Sequence, residues 1–166
     1  MAKLKEFMQA EKGTLEIDWK KVEEYIGFSL HEDLKDFYSR MKCRKINGII
    51  EFKKENFIQK TGNDRYDTWL SEEKVEYELE PLSSMKNIEE RIKCDFFVWT
   101  GGNDFGHRAM IGQFFFNIGQ ILILFNNDTG KIEWIDCGYG YFDVYEENPN
   151  GIMADTLGEF LEKFEG

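Results

Sequence analysis

The sequence predicts an α+β domain: a largely meander antiparallel β-sheet with helices packed around it. Three observations lead there. Apolar residues recur at helical spacing in three places, at 19–41, 85–92 and 157–164. Alternation typical of strands fills much of the remainder. The strand-like segments between 110 and 136 are joined by connections too short for a crossover helix, so they must run antiparallel. The chain has 166 residues, 42% of them apolar and 16% aromatic, which suits a single domain spanning 1–166 with a sizeable core.

Asp18 is placed to cap a helix through about Ile26, because Trp19, Val22 and Ile26 then share a face, and Gly27 ends it. Ser29 with Glu32 is a capping-box pattern. Leu34, Phe37, Tyr38 and Met41 carry a second helix to about Lys42. Asn47-Gly48 is a tight-turn dipeptide, followed by a strand beginning IIEF. Residues 53–72 show no clean period and read as an irregular insertion with short helical pieces. From Lys74 to Leu82, Val75, Tyr77 and Leu79 alternate with Glu76, Glu78 and Glu80, as in a half-exposed strand. Ser84 is set to cap a helix with Met85, Ile88 and Ile92 inward. DFFVWT, Asp95 to Thr100, reads as a strand and GGNDFGH as a loop. Met110 to Phe116, Gln120 to Phe125 and Lys131 to Asp136 read as three strands, the first two turning at Asn117–Gly119. A last helix follows Asp155, its expected cap, with Leu157, Phe160, Leu161 and Phe164 as its stripe.

The formal charge of −11 is uneven. Residues 1–50 carry ten Lys/Arg and nine Asp/Glu, residues 51–123 nine and thirteen, and residues 124–166 only two against ten. An acidic C-terminal quarter opposes phosphate-backbone binding, which needs cations to displace counterions, so no direct nucleic-acid contact is expected. It complements a basic protein surface, because opposite fields speed encounter. Solubility alone explains the same charge and is the simpler reading of it. Cys43, Cys94 and Cys137 are dispersed, and with only His31 and His107 there is no zinc spacing, so no metal is expected and the free thiols suit a reducing, cytoplasmic compartment. No signal peptide is expected from MAKLKEFMQAEKG. The stretch AMIGQFFFNIGQILILF is interrupted by Gln113, Asn117 and Gln120, so no membrane contact is expected.

Several motifs invite a chemical reading. Thr129-Gly130-Lys131 resembles the tail of a phosphate loop, but Phe125 stands where the first glycine belongs, Ile132 where the hydroxyl belongs, and a strand pattern follows instead of a helix. Aligned as a calcium loop, the same stretch puts Phe125 at the first ligand position. A hairpin turn needs only what is present. GGNDFGH, with Asp104 and His107, reads either as a binding loop or as a plain connection. A Cys94–His107 nucleophile pair has no local signature. No catalytic residue or cofactor site is assigned. The one candidate interface is Asp136 and the loop after it. There Tyr139, Tyr141 and Tyr145 are interspersed with Asp143, Glu146 and Glu147, aromatics and acids suited to a basic protein partner. The other explanation is tyrosines packed on the domain edge with solvated acids.

Three segments carry a family resemblance: WKKVEEYIGFSLHEDLKDFYSRMKCRKING, AMIGQFFFNIGQILILFNNDTGKIEWID and IMADTLGEFLEKF. In order and spacing they resemble the SMI1/KNR4 family, the SUKH superfamily: helix, glycine, helix with a Phe-Tyr pair, Asn-Gly; an Ile-Gly strand, an apolar strand, a Thr-Gly turn and a strand ending in Asp; and a closing Ala-Asp before a Phe-Leu helix. They cover about half the chain. His31 stands where the family often has proline, and residues 53–72 match poorly. The resemblance implies the same α+β fold and, in bacteria, immunity proteins that bind and neutralise polymorphic toxins, many of them nucleases or deaminases. Some eukaryotic relatives regulate cell-wall synthesis and signalling. No catalytic residues come with it. The expectation is a non-enzymatic, cytoplasmic immunity protein with a basic toxin as partner. The alternatives are a regulatory scaffold and, third, an enzyme with an unrecognised site.

Overall fold

The computed structural model describes residues 16–40, 46–51, 58–59, 74–79, 88–116, 119–137 and 145–165. The expectations for Met41, residues 53–57 and 60–72, Glu80 to Met85 and Asn117 lie outside them. Among the described residues two helices come first. α1 (Trp19–Ile26) starts where Asp18 Oδ1 accepts from the Lys21 N–H at 3.2 Å, and it buries Val22 and Ile26. It stops at Gly27, whose φ of 94° is left-handed. α2 (Glu32–Arg40) buries Leu34, Phe37 and Tyr38. Its cap is His31 rather than Ser29. The His31 Nδ1 accepts from the Asp33 N–H at 3.2 Å, and its carbonyl accepts from Leu34 and Lys35. The Ser29 carbonyl is engaged elsewhere, by Asn127.

The strands are β1 (Ile46–Glu51), β2 (Ile58–Gln59), β3 (Lys74–Leu79), β4 (Arg108–Phe116), β5 (Gly119–Asn126), β6 (Ile132–Asp136), β7 (Asn150–Ala154) and β8 (Phe164–Glu165). They form a sheet in the order β2-β7-β6-β5-β4-β3-β1-β8, with every pair antiparallel. From β3 to β7 each strand lies beside its successor, which is the meander the alternation predicts. The inward residues of these strands, among them Tyr77, Phe114, Ile123, Phe125 and Trp134, share one core with α1, α2, α3 (Ile88–Phe97) and α4 (Leu157–Glu162). The fold is therefore α+β. Among the described residues no helix is long and apolar enough to cross a membrane.

Four further local expectations fail for identifiable reasons. DFFVWT is not a strand: α3 runs to Phe97 and a turn occupies 98–102. Ile92 and Phe96 complete an inward helical face. The buried Asp95 accepts from the Tyr38 hydroxyl at 2.8 Å and pairs with Arg91, one helical turn earlier, at 3.2 Å. Asn47-Gly48 is not a turn but the middle of β1, where Gly48 lies opposite Tyr77. A Cβ on Gly48 would sit 2.6 Å from the Tyr77 hydroxyl, so the glycine makes room for the ring. At the C-terminus Thr156, not Asp155, caps α4. Its Oγ1 accepts from the Glu159 N–H at 3.1 Å, and Glu159 Oε2 accepts from the Asp155 N–H at 3.0 Å. Phe164 leaves the helical stripe and pairs with Ile50 as part of β8.

The opposite face of the sheet divides in two. Over β4 to β6 a second cluster forms from Phe105, Leu122, Leu124, Ile135 and Tyr145, with Trp99 and Met110 packed against it. Ile135 faces away from the main core, as alternation predicts, but it is still buried. Over β1, β3 and β4, Ile49, Glu76 and Phe115 stand in register and remain exposed.

Gly48→Ala should cost about 1–3 kcal/mol by overpacking against Tyr77. The penalty should shrink in a Tyr77→Leu background. Urea denaturation of the four proteins measures both, and an additive cycle would show that the ring is not what fills the space.

Candidate protein-interaction site

Three loops meet at one end of the sheet, and each is brought there by local chemistry. The first is the α1–α2 linker, 27–31. Leaving the left-handed Gly27, the chain presents Phe28, whose ring stacks on His107 at 4.1 Å and meets Phe96 edge-on at 5.0 Å. Glu23 Oε1 accepts from the Leu30 N–H at 2.8 Å and pairs with Lys35 at 2.9 Å, tying the linker to both helices. The Glu23 carboxyl is held below its ordinary range by the Lys35 and Leu30 bonds.

The second is the α3–β4 loop, 98–107. The Thr100 hydroxyl donates to the Phe97 carbonyl at 2.8 Å, and Asp104 Oδ1 accepts from the Gly106 N–H at 2.9 Å. Phe105 turns down into the second cluster, against Trp99 and Tyr145. Val98 and Phe97 stay out, 66% and 39% exposed.

The third is the β5–β6 turn, 127–130. Asn126 Oδ1 accepts from the Asp128 and Thr129 N–H groups at 3.1 and 3.2 Å, and the Asn126 carbonyl accepts from the Gly130 N–H at 2.8 Å. Gly130 has φ 73°, which glycine adopts without strain, and it lies against the His31 imidazole. This is the hairpin expected for Asn-Asn-Asp-Thr-Gly, and its tip is where the loops join. Asn127 Oδ1 accepts from the His31 N–H at 2.8 Å, its Nδ2 donates to the Ser29 carbonyl at 2.9 Å, and its own N–H donates to the His107 carbonyl at 2.8 Å. Beside it His107 Nδ1 donates to Asp128 Oδ1 at 2.8 Å, the two side chains 44% and 61% exposed.

A buried charge network underlies this end. Glu133, 5% exposed, accepts from Arg108 Nε at 2.7 Å, the Tyr145 hydroxyl at 2.6 Å and Asn126 Nδ2 at 2.9 Å. The Arg108 guanidinium also lies over the Tyr145 ring at 3.8 Å and donates to the Phe105 carbonyl. Burial pushes the Glu133 carboxyl up, but the bonds from Tyr145, Arg108 and Asn126 outweigh it and hold the carboxyl below its ordinary value. The Tyr145 phenol is raised far above its usual range by burial and then by the Glu133 charge.

The candidate interface residues therefore separate. Asp136 and Tyr145 are buried, so they do not form an exposed binding edge. Tyr145 belongs to the second cluster, whereas Asp136 alternates with Ile132 and Trp134 on the main-core face of β6. Glu146 is exposed; Glu147 belongs to the same short 3-10 turn, Tyr145–Glu147. Tyr139, Tyr141 and Asp143 lie outside the described residues. His107 makes no hydrogen bond to Cys94; its partners are Asp128 and Phe28. The Cys137 thiol is pushed up to about 12 by burial and by Asp136, which makes it a poor nucleophile. Among the described residues no cluster of His, Cys, Asp or Glu could hold a metal ion. Two surface grooves lie elsewhere: about 390 Å³ lined by Lys21, Glu24, Tyr25 and Glu89, and about 300 Å³ lined by Gly48, Ile49, Glu76, Tyr77 and Phe115. The joining of Phe28, His107 and Asp128 was not visible in the sequence. Its one local sign was the pairing of a glycine-rich loop with a polar hairpin tip. The chain matches no protein-family model, and no curated protein or solved structure matches it.

Two substitutions test this construction. Asn127→Ala leaves one backbone donor and one acceptor without partners and should cost about 2 kcal/mol in urea denaturation; a loss near zero would mean water replaces the clamp. Glu133→Gln should cost about 3 kcal/mol at neutral pH by leaving Arg108 unpaired. The folded carboxyl lies below its ordinary value of 4.5. Its charge therefore stabilises the protein above that value, and the contribution disappears as pH falls through the lowered one. The stability gap between wild type and variant should narrow below about pH 4. A gap independent of pH would assign the loss to packing.

Proposed function

We propose that this protein is a non-enzymatic binding domain of the immunity type, which neutralises a basic protein toxin by covering it in the cytoplasm. The observation that carries the reading is the distribution of charge in the last quarter of the chain. Of its acids, Glu133 and Asp136 are buried, while Asp128, Glu146, Asp155, Glu159 and Glu162 are exposed. Its lysines are engaged: Lys131 pairs with Asp155 at 3.0 Å, and Lys163 donates to the Met153 carbonyl at 2.7 Å and lies 3.9 Å from Glu159. The surface field is negative, and a cationic partner would be drawn to it. The resemblance of the two ends of the chain to immunity proteins names the class of partner.

A regulatory scaffold is the alternative, and it would have several partners where an immunity protein has one. An enzyme has one observation in its favour, the exposed His107–Asp128 pair, in which the carboxylate orients the imidazole as it would a general base. Mass spectrometry of the partner separates the readings, because a binder leaves it chemically unchanged.

The direct test is co-expression with a toxin encoded beside this gene. Restored growth and a stable complex are expected, and neither protection nor complex would overturn the reading. Reversing the charge of Glu146 and Asp155 together should slow association by about tenfold at low salt and flatten its salt dependence. Unchanged stopped-flow kinetics would remove these acids from the encounter.

A further inference from the structure

We infer that the three-loop end is the docking surface itself, and that it takes a protruding segment of a protein partner in which a lysine or arginine stands beside an aliphatic or aromatic side chain. The inference rests on the binding reading above and adds the place and the chemistry of contact.

Apolar exposure and a single sign of charge coincide there. Val98 and Phe97 are 66% and 39% exposed, and Phe28 lies edge-on to Phe97 with ring centroids 6.3 Å apart. Asp104 and Asp128 are exposed on the adjoining loops. Neither 27–31 nor 98–107 contains a lysine or arginine. The cations that follow are engaged, Arg108 by Glu133 and Lys131 by Asp155. Within these loops an apolar contact therefore meets carboxylates with no lysine or arginine of the loops' own, an arrangement that disfavours phosphate and favours an amphipathic basic segment. Among the described residues the other large exposed apolar side chains are Tyr25, Ile49 and Phe115. Tyr25 lies under Lys93 at 5.0 Å, in a groove that also contains Lys21. Ile49 and Phe115 flank Glu76 on a sheet face, with Glu165 opposite Ile49 in register, rather than at the joined loops.

The platform is also pre-organised. Asn127 fixes the hairpin tip to the linker, and His107, stacked on Phe28, orients the Asp128 carboxylate. Little ordering remains to oppose binding. A lysine or arginine can add its charge to Asp128 or Asp104 while its neighbour covers Val98.

The test is an NMR titration of the isotope-labelled full chain with a short synthetic peptide alternating lysine and leucine. Glutamate–leucine and lysine–glycine peptides serve as controls. Shift changes confined to Phe28–His31, Phe97–His107 and Asn127–Gly130, given by the lysine–leucine peptide alone, are expected. Val98→Ser should weaken binding about tenfold. Asp104→Asn with Asp128→Asn should weaken it about fivefold and reduce its salt dependence. Both variants change exposed side chains, and their unbound spectra report whether the fold is intact. Shifts centred on Ile49 and Phe115, or on α4, would overturn this surface and leave a basic partner standing. Absence of any response would also overturn it. Apex shifts that follow protein concentration without peptide would make a second copy the occupant, and would overturn it too. Binding at the apex with no protection in co-expression would sink the immunity reading and keep the surface.

Discussion

The side chain of Asn127 joins parts of the molecule that the chain keeps far apart. Its amide accepts from His31 and donates to Ser29, and its backbone reaches His107. Three loops thereby share one set of hydrogen bonds. α1 and α2 enter the core from the linker that Asn127 grips, and β5 and β6 turn at the tip that carries it. The linker carbonyl and N–H at Ser29 and His31 need partners in this part-buried setting, and Asn is the residue type that offers both a donor and an acceptor on one short arm.

Beneath the clamp, Glu133 sets a second condition. A carboxylate so little exposed is tolerated because Arg108 supplies charge and Tyr145 and Asn126 supply further donors. Each donor comes from a different place: the end of the α3–β4 loop, the short turn after β6, and the start of the β5–β6 hairpin. The network thus holds Phe105 and Tyr145 against the sheet and closes the second cluster. Asn126 belongs to both systems, since its amide nitrogen meets Glu133 while its amide oxygen shapes the turn that presents Asn127. The two polar devices are continuous through one residue.

This construction relates the fold to the binding reading. Loops fixed by buried polar groups can present exposed side chains in one geometry, which lowers the entropic cost of association. In the proposed reading the acids of the last quarter would act at longer range on a cationic partner. Short-range fit then falls to the apolar and acidic side chains of the loop cluster.

Helix α1 was legible in the sequence because its cap, its apolar spacing and its terminal glycine are local and agree. The meander was legible too, since alternation and short connections leave antiparallel pairing as the solution. So was the hairpin reading of Thr-Gly-Lys, because a strand pattern follows it. Elsewhere tertiary contact decided. Asn47-Gly48 has turn propensity, yet the space needed by the Tyr77 ring makes Gly48 a strand residue. DFFVWT has strand propensity, yet Asp95 is drawn into a helix by partners on Arg91 and Tyr38. Alternation along β6 correctly separates Trp134 from Ile135, but it cannot say whether the far side meets water or a second cluster, so Tyr145 reads as surface and is buried, while Asp136 shares the face of Trp134 and is buried there. By itself the sequence determined element type wherever local signals agreed, together with fold class and the sign of the charge. Only the tertiary structure decided which polar residues are enclosed and which loops meet, because those depend on contacts between positions that no local period connects.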